Sequence, residues 1–189
     1  MVGARPYDER VQSLIDESTS GADLLERARS GDQAAFTTLV EQHRDRLWAI
    51  CLRITGNQHD AEDAMQDALV AAWRAIGNFR GDAQLSTWLY RIGSNAALAR
   101  IRKRTDADDI AEHDPMSHLD VAAQVVVSDR IAEALAQVPD AYRATFVLRV
   151  YGELSYSEIA EAQGIGLQTV RSRISRARSL LSELLADLR

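Results

Sequence analysis

Little in this chain staples it or breaks it. One cysteine, Cys51, occurs in 189 residues, which excludes an internal disulfide; set among apolar residues, it reads as a small core side chain. Only 3 prolines and 10 glycines are present, so few points interrupt regular structure, and the chain reads as mostly helical. No apolar run approaches the ~20 residues that span a membrane. The start, MVGARPYDER, has no apolar h-region, so no signal peptide is expected; the expected location is the cytoplasm, with no membrane insertion. Phosphate loops, nucleophile elbows and metal-ligand spacings are missing too. His113 and His118 stand five residues apart without a cysteine partner, a poor zinc pattern. No catalytic residue, metal or cofactor is therefore expected. Positive charge is in deficit as well. A net charge of −6 argues against a protein that coats nucleic acid by bulk attraction.

What is present is ordinary for a soluble globular protein: 46% apolar and 26% charged residues. The charge, however, is unevenly distributed. Phe79 to Arg104 holds six basic residues (Arg80, Arg91, Arg100, Arg102, Lys103 and Arg104) and one acid, Asp82. Thr105 to Asp120 holds six acids and no Lys or Arg, and the last helical stretch is basic again. Two basic surfaces separated by an acidic segment suggest two DNA contacts on one chain.

The last stretch carries the strongest pattern. Ser155 followed by Glu158 is a capping box that starts a helix. Gly164 is placed to end it in a left-handed C-cap. A second helix then runs from about Leu167 to Leu188, completing a helix-turn-helix whose second helix reads a DNA groove. At ~100° per residue, Val170, Ile174, Ala177, Leu181 and Leu184 share a buried stripe. Gln168, Arg171, Ser172, Ser175 and Arg176 lie on the opposite side, where arginine can take phosphates or guanine edges.

Ahead of this, residues 1–20 read as a loose extension. A short helix is expected after Gly21, ending at Gly31, with Asp32 capping the next. Phe36, Leu39, Val40, His43, Leu47, Ile50 and Ile54 recur at helical spacing, which predicts one long helix stopped near Gly56. His43 falls on its apolar side. Asp60 to Trp73 predicts a helix with Ala61, Ala64, Met65, Ala68, Leu69 and Ala72 inward. Its outer side is acidic: a solvated face, or a docking face for a basic partner. A loop, Phe79 to Gln84, leads into a helix over Leu85–Arg104. There Trp88 faces the core and Tyr90 projects the other way. Arg91, Asn95 and Arg102 line one flank, Arg100 and Arg104 the other. Phe79 and Tyr90 beside arginines suit unstacked bases. Gly93 inside this helix costs ~1 kcal/mol relative to alanine, with no reason visible. Residues 105–119 read as an acidic, flexible linker able to span about 50 Å. A helix from Asp120 or Ser128 to Val138 and another capped by Asp140 complete a C-terminal domain. The fold class is thus all-α: two small helical domains (residues 21–104 and 120–189) with a linker between them.

Taken together, the sequence from Asp23 to Leu185, outside the linker, resembles the extracytoplasmic-function (ECF) sigma factors of bacterial RNA polymerase. DAEDAMQDALVAAW looks like the family's polymerase-binding helix, FRGDAQLSTWLYRI like its promoter-melting segment, and LSYSEIAEAQGIGLQTVRSRISRAR like its −35-reading helix-turn-helix. The resemblance implies that Asp60, Glu62, Asp63, Gln66 and Asp67 dock on the β′ clamp helices of core polymerase, with the β subunit as a further contact. It implies that Phe79, Arg80, Asp82, Tyr90, Arg91 and Asn95 capture a flipped −10 base, and that Arg100, Arg102, Lys103 and Arg104 hold phosphates. Gln168, Thr169, Arg171, Ser172, Ser175 and Arg176 would contact the −35 element. The acidic linker would thread a polymerase channel made for nucleic acid, and a cognate anti-sigma factor would hold the protein inactive. Ala99 stands where Asp is common in the family, Gln168 where Gly is, and Gly166 where Pro is; these positions bear on which promoter is read. A helix-turn-helix regulator acting at an operator without polymerase is the alternative. Such a binder needs neither the acidic helix nor the aromatic–basic segment.

Overall fold

The structure, a computed structural model, describes residues 21–108 and 125–186. Among these, every regular element is helical. The helices are α1 (residues 21–29), α2 (Gln33–Glu41), α3 (Arg44–Thr55), α4 (Gln58–Ala75), α5 (Leu85–Asp108), α6 (Val125–Gln137), α7 (Asp140–Val150), α8 (Tyr156–Gln163) and α9 (Leu167–Leu184). A 3-10 turn, Ile76–Asn78, follows α4. Most of the expected linker, with His113 and His118, lies outside the described residues, as do residues 1–20. Its first part does not: α5 continues past Arg104 through residues 105–108.

Side-chain capping explains several of the helix starts. The Asp32 side chain accepts the amides of Ala34 and Ala35 and caps α2. Its carboxyl is held below the usual range by the Ala35 amide and by Arg27, which forks onto it. Asn57 caps α4 by accepting the Asp60 amide. Asp140, expected as a cap, is instead the first residue of α7, and Pro139 precedes it without a side-chain cap. The expected long helix over Phe36–Ile54 is broken at Gln42 and His43, where the His43 amide turns back to the Val40 carbonyl. The buried residues keep helical phase across this break, so periodicity alone does not reveal it.

Helices α3, α4 and α5 form the central packing unit. Four alanines, Ala61, Ala64, Ala68 and Ala72, are the buried face of α4, and their small side chains let it lie close to its neighbours. Gly93 has the same role in α5. A Cβ built there would overlap the Leu47 side chain and reach Cys51 Sγ at 3.6 Å. The glycine that weakens the isolated helix is what admits α3. Cys51 is fully buried in this contact, and burial pushes its thiol up to about 12, which keeps it protonated and unreactive.

The two halves are packed against each other. Leu154, Ile159, Val170 and Ile174 from the C-terminal half belong to the same buried cluster as Ile50, Ile54, Leu89 and Ala97. Polar bonds cross the same contact: Arg46 to Glu153 at 2.8 Å, and the Thr87 hydroxyl to Glu158 at 2.8 Å. Arg143, only 4% exposed, donates from Nε to the Ile54 carbonyl and from Nη1 to the Val138 carbonyl, both at 2.9 Å. Nη2 meets Asp140. Burial lowers its pKa against the opposing pull of Asp140. A second small cluster, including Ala134, Leu135, Val138, Ala177 and Leu181, joins α6 to α9.

Candidate nucleic-acid interface

Helix α8 opens with both halves of the capping box. Ser155 Oγ accepts the Glu158 amide at 3.2 Å, and the Glu158 carboxylate accepts the Ser155 amide at 2.8 Å. The Glu158 carboxyl is held below its ordinary range by the Ser155 hydroxyl and amide and then by Thr87. Gly164 ends α8 at φ 64°, a conformation that glycine adopts without a Cβ clash. Helix α9 then buries Val170, Ile174, Ala177 and Leu181. Leu184, expected on this stripe, is 39% exposed at the helix end, one turn beyond the last residue of the α6–α9 cluster on that stripe. Gln168, Thr169, Arg171, Ser172, Ser175 and Arg176 are all exposed. Arg176 is partly engaged: it lies 5.8 Å over the Tyr142 ring and donates to its hydroxyl at 2.9 Å.

The second basic surface differs from expectation in two ways. Tyr90, expected to project outward, is 2% exposed. Its ring meets His43 edge-on at 6.1 Å, and burial raises its pKa. The reason is that α5 is covered on several sides, by α3, α4, α7 and α8, so a side chain off the main apolar stripe is still enclosed. Phe79 is also buried, 5.1 Å from Trp88 between ring centroids; in this arrangement neither aromatic offers a face to a base. Arg80, Asp82, Asn95, Arg102 and Lys103 are exposed, and Arg91 is half-buried.

The second difference concerns Arg100 and Arg104, expected at phosphates. Arg100 clamps two acids of α4, reaching Asp63 at 2.7 Å and Asp67 at 2.8 Å, and Arg104 pairs with Asp60. The acidic outer side of α4 is therefore largely neutralised from α5. The partners are far apart in the chain, so neither side's charge run reveals the pairing. Glu62 and Gln66 remain outward and exposed, with Glu62 accepting from Gln58 at 2.8 Å. Beside them lies a groove between α3 and α4, about 590 Å³, in which Trp48, Met65, Leu69 and Val70 supply an apolar floor. Sequence reasoning assigned Met65 and Leu69 to the core and passed over Trp48 and Val70. The usable signal is Val70, a large apolar residue outside the inward face of α4 and 43% exposed.

Two family models match. Sigma-70 region 2 covers residues 39–107, and Sigma-70 region 4 covers residues 128–181. The ECF RNA polymerase sigma factor SigW of Bacillus subtilis is 34% identical over 179 residues, spanning 87% of this chain and 96% of that protein. The chain belongs to the ECF sigma factors. SigM of Mycobacterium tuberculosis is similar at 36% identity over 169 residues, 89% of this chain and 86% of its own. The fold of this sigma factor is shared by two solved structures. One is CnrH in complex with the cytosolic domain of CnrY (TM-score 0.68, 31% identity, covering 89% of this chain and 98% of that one). The other is the sigma factor RpoE with the anti-sigma factor NepR from Bartonella quintana (TM-score 0.71, 27% identity, covering 80% and 96%). In this sigma factor, region 2 ends within α5 and region 4 contains the helix-turn-helix of α8 and α9. Among the described residues no helix is long and apolar enough to cross a membrane.

Proposed function

We propose that this sigma factor brings core RNA polymerase to its promoters from the cytoplasm, performing no reaction of its own. The observation that carries the reading is the outer face of α9: six polar or basic side chains held outward by a capped helix-turn-helix. Gln168, Thr169, Arg171, Ser172, Ser175 and Arg176 would contact the −35 element. Arg80 and Asp82 lie in the loop that would take an unpaired −10 base, Arg91 and Asn95 follow on α5, and Arg102 and Lys103 are exposed phosphate ligands of that half. Flipping a base costs a few kcal/mol, which a stacking pocket must offset. Phe79 and Tyr90 contribute stacking only after local rearrangement, and Arg100 and Arg104 only after release from their carboxylates.

For polymerase the favoured surface is the apolar groove of α3 and α4, rimmed by Glu62 and Gln66. Asp60, Asp63 and Asp67 support it by fixing α4 against α5. The clamp helices of β′ would lie there, and the β subunit would meet the C-terminal half. RpoE of Bartonella quintana was solved with the anti-sigma factor NepR, and CnrH with the cytosolic domain of CnrY, which supports a cognate anti-sigma factor competing for these surfaces. Run-off transcription with purified core polymerase on a promoter library tests the whole reading. Promoter-specific transcripts are expected only when this chain is added. Tight operator binding without any core-dependent transcript would favour a stand-alone regulator instead. On promoters that need the upstream hexamer, Arg171→Ala with Arg176→Ala should lower initiation by about 10–100-fold, the loss of two charged contacts. Full activity there would displace the exposed face of α9 from the interface.

A further inference from the structure

The loop that opens the −10 half is tied to a helix far away in the sequence. Arg29 lies on α1, ahead of the matched region 2. Its Nη2 donates to the carbonyl of Phe79, the first residue of the loop. Its guanidinium carbon also lies 5.9 Å from the centre of the Phe79 ring, and that ring leans on Trp88. One side chain thus holds both the backbone and the aromatic group at the root of the loop.

Phe79 is also held from its own side of the molecule, where its amide donates to the Ile76 carbonyl at 3.1 Å. Between α1 and the loop lies a cleft of about 790 Å³, bordered by Glu26, Ser30, Gly77, Asn78 and Arg80 as well as Arg29. Glu26 steadies the guanidinium from one side at 3.7 Å. Arg29 Nε is buried and has no acceptor among the described residues, so the group retains one unused donor facing its surroundings. A buried donor without a partner is costly, and in a native structure each one calls for an explanation. Across this cleft the Arg29 side chain is what joins α1 to the root of the loop, so Arg29 bears on the angle at which Arg80 and Asp82 leave Phe79.

We propose that Arg29 is a positioning residue for promoter opening: it sets the loop beginning at Phe79 so that the loop can receive an unpaired non-template base. This rests on the sigma-factor reading above. Arg29 acts through Phe79 and touches no DNA in this account. Its influence is therefore confined to steps in which the loop engages a base; recruitment of polymerase and contact with the −35 element do not involve it.

The test uses the full chain with core polymerase, on a promoter chosen with the wild-type holoenzyme and carrying 2-aminopurine in the −10 element. Arg29→Met removes the bridge; Arg29→Lys keeps one charged donor. Opening by Arg29→Met should slow about tenfold, the order expected when one charged hydrogen bond is lost. Arg29→Lys should recover part of that loss. Core affinity and binding to a −35 duplex should stay within about twofold for both. On a pre-melted template with an abasic site at the captured position, wild type and Arg29→Met should perform alike, because the base that the loop receives is gone. Equal opening rates on the intact promoter would overturn the proposal. So would a deficit that persists undiminished on the abasic template, or one that Arg29→Lys does not relieve. If Arg29→Met melts at lower temperature, the Arg29→Lys comparison decides alone. A wild-type chain that opens no promoter with core rejects the sigma-factor reading itself, a different failure from a wild type that opens normally and a variant that matches it.

Discussion

Glu158 has three duties for one carboxylate. It closes the capping box with Ser155, it starts the helix-turn-helix, and it accepts the Thr87 hydroxyl from the other half of the molecule. Each bond favours the charged form, so the folded pKa lies below the unfolded one. The linkage sign follows. The contribution of Glu158 to stability is fully present above the ordinary carboxylate pKa and is lost as pH falls through the lowered folded value. Urea midpoints measured at a series of pH values between about pH 7 and pH 3 should therefore decline more steeply for wild type than for Glu158→Gln. Parallel declines would mean that the carboxylate's bonds contribute nothing in solution. The His43 pKa is lowered as well, but for a base this favours the neutral form. Burial, and then the neighbouring Arg46, lower its pKa, so protonation of this ring opposes the packing around Tyr90.

At the scale of helices, α3 and α5 meet through Gly93. Adding one methyl group there drives it into the Leu47 side chain, and overpacked cores typically lose about 1–3 kcal/mol. Gly93→Ala should fall in that range by urea denaturation, despite the better helix propensity of alanine. A stabilised variant would show that α3 can move aside. From sequence this glycine looks only like a defect, because the close approach that requires it joins residues more than forty positions apart. A separation of more than thirty positions likewise hides the clamps from Arg100 and Arg104 to the acids of α4. Elements whose signals are local were legible: the capping box, Gly164 and the apolar stripe of α9 define the helix-turn-helix without any tertiary information. The break between α2 and α3 was not, because no glycine or proline marks it and the buried positions stay in phase. Tyr90 was misplaced for a related reason. A helical stripe predicts one covered face, whereas α5 is covered by four helices.

At the scale of the whole molecule, the basic surfaces that the charge pattern separates belong to halves that share one buried cluster. The exposed link at its edge, Arg46 to Glu153, has both side chains largely in water (44% and 67% exposed). Such pairs are worth ~0.2–1 kcal/mol. Arg46→Glu sets two negative charges opposite each other. It should raise amide hydrogen exchange around Tyr90 and Ile159 together, by roughly two- to fivefold. A rise confined to one of the two segments would show that they open independently. Burying Tyr90 beside His43, with Arg46 and Glu153 acting on its hydroxyl, has a thermodynamic corollary. A ligand that grips this tyrosine meets only the minority of molecules in which the ring is already uncovered. Its observed dissociation constant exceeds the intrinsic one by the reciprocal of that minority, and a substitution that loosens the contact would tighten binding without adding a single new bond to the ligand.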